Sequence, residues 1–237
     1  MLPEYPLLPS THLNRQRDVV RPTSGLHGCD IASQRADELD LACLQVAKER
    51  GQRKLRAVDL GCGWGAQGRR LAELGVETHL YDVIEQGGFT RDGQQRSFAG
   101  ELRFHRVDLS CPLSSDTFPR NLDIVYSQRF IHFLTFRQVL RLLEHLTQVS
   151  SEGALAFLSA SGLGSELGDG YSHARCHFER RYAKLEASQA QKHHIHAPVC
   201  LYTQEDLVAL TRRVGWRTLR VFESSFGNIK GIFEVGS

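Results

Sequence analysis

A glycine-rich segment between an apolar run and a helical stretch constrains this chain more than any other feature. It reads Val-Asp-Leu-Gly-Cys-Gly-Trp-Gly over residues 58–65. Glycine tolerates the positive backbone φ of a tight turn and lets the backbone approach a ligand closely. The N–H groups at the start of a helix point toward whatever binds there. The segment therefore predicts a strand, a turn and a helix arranged around a small-molecule site.

Short apolar runs alternate with helical stretches from Leu55 onward, a pattern typical of parallel strands joined by crossover helices. We expect strands at 55–60, 77–82, 102–108, 122–127, 153–160, 217–223 and 230–235, and helices at 32–49, 136–149 and 204–214. Only about six residues separate the last two strands, too few for a parallel crossover, so they must form an antiparallel hairpin. The predicted fold class is α/β, a mostly parallel Rossmann-like sheet that ends in a hairpin.

Acidic residues follow or end three successive predicted strands. Asp82 lies 21 positions after Gly61, at a strand end where its carboxylate can accept hydrogen bonds from both hydroxyls of a ribose. Asp108 follows the third strand and suits an adenine amino group. Asp59, two positions before Gly61, suits a ligand with a cationic amino group. The pattern predicts a nucleoside that carries a positive charge.

The glycine loop alone does not separate two classes of nucleotide site. Gly61, Gly63 and Ala66 also satisfy the dinucleotide pattern G-x-G-x-x-A, which leaves a nicotinamide or flavin site open. Asp59 would be poorly placed beside a pyrophosphate, because both are negative. Asp59, the acid after the third strand and the terminal hairpin together favour a different cofactor.

With these features the chain resembles the class I S-adenosylmethionine-dependent methyltransferases from about Leu55 to its end. The resemblance implies a seven-stranded sheet of order 3-2-1-4-5-7-6 with strand 7 antiparallel, helices on both faces, and S-adenosyl-L-methionine as cofactor. It also implies that the methionine part meets the glycine loop, the ribose meets Asp82, and the adenine meets Asp108 with the Leu109 backbone. The full implied cofactor set is Asp59, Gly61, Gly63, Gly65, Asp82, Val83, Asp108, Leu109, Ser127 and Gln128.

The segment after the fourth strand bears on the chemistry. Ser127-Gln128-Arg129-Phe130 replaces the Asn-Pro-Pro-Tyr type of sequence found in many family members that methylate amino nitrogens, so amide, adenine and cytosine acceptors are less expected. His132 is the candidate base, since histidine titrates near neutrality. Its alternative is a histidine that only packs against the sheet. Arg129 is the candidate for orienting an acidic acceptor.

Residues 161–202 form a long insertion between the fifth strand and the helix at 204–214, and we interpret it as a substrate lid. Tyr171 and His173 are the lid residues expected to reach the reacting groups. The alternative is a solvated, charged surface. His173, Cys176, His196 and Cys200 have spacings that could hold zinc; we assign no metal, but the spacing leaves that question open.

Composition limits the partners. The formal net charge is +2, so no strong electrostatic case exists for nucleic acid or a membrane.

We expect residues 1–30 to be an irregular arm and 31–237 to be one domain. Dispersed cysteines and the lack of a leader pattern favour a cytoplasmic protein. We expect a methyltransferase for a small molecule; an RNA or protein methyltransferase, and a non-catalytic cofactor-binding module, remain alternatives.

Overall fold

The computed structural model describes residues 36–84 and 98–236 of the chain. The predicted arm at residues 1–30 lies outside the described residues. The helices are α1 (Glu38–Glu49), α2 (Ala66–Glu73), α3 (Phe136–Val149), α4 (Ala187–His193) and α5 (Gln204–Arg213). The strands are β1 (Arg56–Leu60), β2 (Glu77–Asp82), β3 (Leu102–Arg106), β4 (Leu122–Gln128), β5 (Ser150–Ser161), β6 (Arg217–Glu223) and β7 (Asn228–Glu234).

All seven strands form one sheet of order β3-β2-β1-β4-β5-β7-β6. Strands β1 to β5 pair in parallel, whereas β7 lies antiparallel to both β5 and β6. The predicted topology is therefore confirmed, including the terminal hairpin. Its turn uses Gly227 at φ +72°, a conformation that favours glycine.

Local capping sets where the helices begin. Thr135 and Gln138 form the capping box that starts α3, and the helix occupies the predicted residues 136–149. The helix predicted at 32–49 begins only at Glu38, because the Asp37 side chain accepts hydrogen bonds from the backbone of Leu39 and Asp40. The other predicted bounds differ from the structure by a few residues at most, as expected for element ends.

The sheet is covered on both faces because its strands alternate their side chains. In β1, Ala57 belongs to a buried cluster with α1 and α2, whereas Val58 belongs to the cluster formed with α3 and α5. The carboxyl ends of the parallel strands are left as one rim, which is where ligands bind in open α/β sheets.

The insertion at 161–202 has a small core of its own. A separate buried cluster contains Leu167, Tyr171, Leu185, Ile195, Val199 and Leu201. Ala183 and Val199 form an antiparallel bridge that closes it. Among the described helices, none has the length and apolarity that crossing a bilayer requires.

Candidate active site

The glycine loop connects β1 to α2 at the carboxyl rim. Gly61, Gly63 and Gly65 have φ values of +65°, +52° and +67°, which an L side chain rarely adopts. The backbone N–H groups of Gly61 and Cys62 donate to the Tyr81 carbonyl at 2.9 and 3.1 Å, which ties the turn to β2. Gly65 is the N-cap of α2 and offers no side-chain acceptor. The helix start therefore has no side-chain cap at its N-terminal residue.

Gly61 is also required by close packing. A Cβ atom there would overlap the Cβ, Cγ and Cδ2 atoms of Phe130, in the segment that follows β4. The loop after β1 and the segment after β4 therefore lie against each other. They can lie this close because Gly61 has no side chain.

Asp59 lies beneath this loop rather than on top of it. The residue is 3% exposed, and its Oδ2 atom accepts a hydrogen bond from the Gly68 backbone N–H at 3.1 Å. The carboxylate thereby fixes α2 to β1. Its predicted role toward a cationic amino group stays a prediction.

Asp82 ends β2 beside the glycine loop. Its Oδ2 accepts from the Gly63 N–H at 2.9 Å and its Oδ1 from the Ile84 N–H at 3.3 Å. Val83 follows it and is exposed. The carboxylate is half-buried and acts as a hydrogen-bond acceptor at the rim.

Asp108 lies after β3, next along the same rim. It is exposed, and its Oδ1 accepts from the Ser110 N–H at 2.9 Å. The Leu109 side chain is buried in the core, so only its backbone can meet a ligand. Because β3, β2 and β1 are neighbours in the sheet, the acids predicted from spacing follow one edge in the expected order.

The end of β4 carries the next two predicted residues. Ser127 is fully buried, and its hydroxyl donates to the Leu60 carbonyl at 3.4 Å, so its side chain braces β1. Gln128 is half-buried, and its Nε2 donates to the Asp37 carboxylate. Arg129 has φ +50°, and its backbone N–H donates to the Ser159 carbonyl at 3.0 Å. The chain therefore turns sharply where β4 ends.

His132 is buried, with 2% exposure. The Ser161 N–H donates to its Nδ1 at 3.5 Å, and the Cys200 N–H donates to its carbonyl at 2.7 Å. With Nδ1 as the acceptor, the neutral ring carries its proton on Nε2. Such a ring can donate from Nε2, but it accepts a proton only by losing the Ser161 contact. This geometry favours the packing alternative over a general base.

Tyr171 takes a structural role in the insertion. Its hydroxyl donates to the Val199 carbonyl at 2.6 Å, and its ring is buried in the insertion core. Burial raises the pKa of this phenol. Reaching a substrate would break these contacts, and the predicted role of Tyr171 toward the reacting groups stays a prediction. His173 is half-buried, and its Nδ1 lies 3.0 Å from the Ser172 hydroxyl.

The zinc alternative gains no geometric support. Within residues 36–84 and 98–236, no three His, Cys, Asp or Glu side chains are grouped as metal ligands. Cys200 is buried, and its thiol donates to the Phe178 carbonyl. Burial raises the pKa of that thiol, which disfavours the thiolate that zinc needs.

Sequence comparison finds no matching protein-family model and no matching curated protein. Structural comparison finds many matches. An S-adenosylmethionine-dependent methyltransferase from Clostridium acetobutylicum has TM-score 0.62 and 12% identity over 87% of this chain and 95% of its own. Magnesium protoporphyrin IX methyltransferase from Synechocystis, solved with bound S-adenosylhomocysteine, has TM-score 0.58 and 12% identity over 84% and 82%. An S-adenosylmethionine-dependent methyltransferase from Methanosarcina mazei has TM-score 0.58 and 19% identity over 77% and 93%.

The chain has the class I methyltransferase fold. The sheet order with its antiparallel β7 and the likeness to these three structures agree on it. At such identities the likeness shows the fold, and the chemistry must be argued from this chain's own residues.

One part of this methyltransferase fold was missed by sequence reasoning. A polar cluster, which we call the rim cluster, lies between the start of α1 and the ends of β4 and β7. It consists of Asp37, Glu38, Asp40, Tyr126, Gln128 and Lys230. The only available signals were a lysine within the apolar β7 and the Asp37–Asp40 capping-box spacing.

Proposed function

We propose that this chain is an S-adenosyl-L-methionine-dependent methyltransferase that acts on a small molecule. The observation that carries the proposal is the row formed by the glycine loop, Asp82 and Asp108 along one rim of a class I methyltransferase fold. A hydrogen-bonding carboxylate beside a turn that leaves room for a ligand is the chemistry that a nucleoside requires.

The residues present fit this cofactor. The positive-φ glycines bring the loop backbone to the rim beside Asp82, and the glycine at the N-cap places no side chain over the first N–H groups of α2. The Asp82 carboxylate is placed for ribose hydroxyls, and the exposed Asp108 for an adenine amino group. We assign the methionine part to Gly61, Gly63 and Gly65 with Asp59 beneath them, and extend the set to Val83, Leu109, Ser127 and Gln128.

The bound cofactor supplies a methyl carbon already activated by its positively charged sulfur. The protein's contribution is to align the acceptor and keep water away. Arg129, which ends β4 in a positive-φ turn, is the candidate for orienting an acidic acceptor. His132 serves as a buried hydrogen-bonding residue behind this turn, since its Nδ1 is occupied by the Ser161 N–H.

The insertion at 161–202 is proposed as the substrate lid. It follows β5 directly, so it starts at the same rim. One part of it has a core of its own, whereas Phe178, Cys200 and Tyr202 anchor it in the main core. His173, on its surface, is the lid residue placed to contact an acceptor. Hydrogen exchange within 161–202 is expected to slow when cofactor and acceptor are both bound, because closure protects backbone amides. Unchanged exchange in that ternary complex would assign specificity to the strand ends instead.

Methyl transfer tests the proposed activity. The protein is incubated with S-adenosylmethionine labelled in its methyl group and with a cell extract separated into small molecules, RNA and protein. Label is expected in a small molecule that separates from S-adenosylmethionine itself by chromatography, and Asp82→Ala should strongly reduce that signal at low cofactor concentration. Label confined to RNA or protein would contradict the small-molecule assignment, and binding without transfer to any fraction would indicate a non-catalytic module.

A further inference from the structure

Lys230 occupies an unusual position for a charged residue. It lies in β7 opposite Ser159 of β5, which in turn lies opposite Gln128 of β4. Residues opposite each other in a sheet share a face, so these polar side chains form a row across three strands near the rim. The Lys230 side chain is 4% exposed. A lysine buried this deeply requires partners that compensate for its lost hydration.

Those partners come from the start of α1. Lys230 Nζ lies 2.7 Å from Asp37 Oδ2 and 3.1 Å from Glu38 Oε1. Asp37 is the N-cap of α1, and its other oxygen, Oδ1, accepts from the backbone N–H groups of Leu39 and Asp40. One carboxylate thus joins the lysine to the first turn of the helix.

The same carboxylate reaches the end of β4. Asp37 Oδ2 accepts from Gln128 Nε2 as well as from Lys230. The Tyr126 hydroxyl lies 3.1 Å from Gln128 Oε1. The Gln128 side-chain amide is therefore held by Asp37 at its nitrogen, and its oxygen lies beside the Tyr126 hydroxyl that donates to Asp40. Gln128 precedes Arg129, where the chain turns toward the proposed site.

The cluster would carry excess negative charge without Lys230. Asp40 is buried, accepts from the Tyr126 hydroxyl, and lies close to Asp37. Burial, with the nearby Asp37 charge, raises the pKa of Asp40 to about 6. Removing the cation would leave the Asp37 carboxylate beside the buried Asp40 without its lysine partner, which costs more than losing a surface ion pair.

We propose that Lys230 is a positioning residue for cofactor binding, which acts through Asp37 to hold Gln128 and the start of α1 in place at the rim. The proposal rests on the proposed function, because it takes the β4 end as part of the cofactor site. Lys230 itself need not touch the cofactor.

Lys230→Met tests the proposal, since methionine keeps much of the side-chain volume and removes the charge. Binding of S-adenosylhomocysteine is measured by calorimetry and stability by urea unfolding. We expect affinity to fall about tenfold or more, the order of loss that follows from small displacements in a preorganised site. The matched control is Asp123→Asn, which breaks the ion pair between the buried Asp123 carboxylate and the exposed Arg53 at the opposite end of β4. It should lose stability but stay within about twofold of wild-type affinity.

A double variant separates positioning from folding. Asp37→Asn keeps a good N-cap residue and removes the unpaired charge, and its Nδ2 can donate to Gln128 Oε1 once the Gln128 amide turns over. Asp37→Asn/Lys230→Met should therefore recover to within about threefold of wild-type affinity, even if Lys230→Met alone does not fold. Wild-type affinity in Lys230→Met, an equal loss in Asp123→Asn, or no recovery in the double variant would each overturn the proposal. If the wild-type protein itself fails to bind S-adenosylhomocysteine, the proposed function fails first.

Discussion

Replacing Gly61 with alanine is expected to destabilise the fold by about 2 to 4 kcal/mol and to weaken S-adenosylhomocysteine binding at least about tenfold. Two physical costs add here. The residue has φ +65°, where a Cβ atom is strained, at about 1 to 2 kcal/mol. The new methyl group would also overlap Phe130, which forces apart the loop after β1 and the segment after β4. Urea unfolding gives the first effect and calorimetry the second.

Gly75 offers a control that isolates the backbone cost. It has φ +88°, and a Cβ atom there would meet nothing within 4 Å. Gly75→Ala should therefore show only the conformational penalty, about 1 kcal/mol, with cofactor affinity unchanged. If Gly61→Ala proves no worse than Gly75→Ala in either measurement, the close approach of Gly61 to Phe130 has no importance for the site.

Asp82→Ala is expected to reduce the affinity for S-adenosylhomocysteine by about 1.5 to 3 kcal/mol, as loss of hydrogen bonds to a charged acceptor implies. The structure adds a second contribution, because the same carboxylate holds the Gly63 N–H at 2.9 Å. Its loss should loosen the glycine loop as well as remove the ribose contact.

Asp82→Asn distinguishes these two contributions. Asparagine retains one oxygen for Gly63 but offers a weaker, neutral acceptor to the ribose, so we expect an intermediate affinity. Asp116→Ala is the matched control, since Asp116 is an exposed acid whose side chain accepts a hydrogen bond from its neighbour Ser115. Equal affinities in wild type, Asp82→Ala and Asp116→Ala would show that the ribose binds elsewhere.

The rim acids could be predicted because their spacing depends on neighbouring elements. Glycines that follow a strand and an acid that ends the next strand are placed by short-range geometry, and Asp82 occupies the predicted position at the end of β2. The terminal hairpin could be predicted as well, because a connection this short allows only antiparallel pairing of the two strands.

The rim cluster and the histidine environment could not be predicted this way. Lys230 meets Asp37 across 193 positions of sequence, and His132 meets Ser161 across 29. The contacts of Tyr171 could not be predicted for the same reason, because its Val199 partner lies 28 positions away and no periodic pattern marks the insertion core. Contacts of this kind depend on the tertiary fold, whereas motif spacing does not.

Direct titration of the wild-type protein with S-adenosylhomocysteine and, separately, with NAD⁺ tests the central claim most simply. Gly61, Gly63 and Ala66 satisfy a pattern that both classes of site share, so the ligand itself must decide. We expect saturable binding of S-adenosylhomocysteine at one site per chain and no heat of binding with NAD⁺. Binding of NAD⁺ without binding of S-adenosylhomocysteine would contradict it.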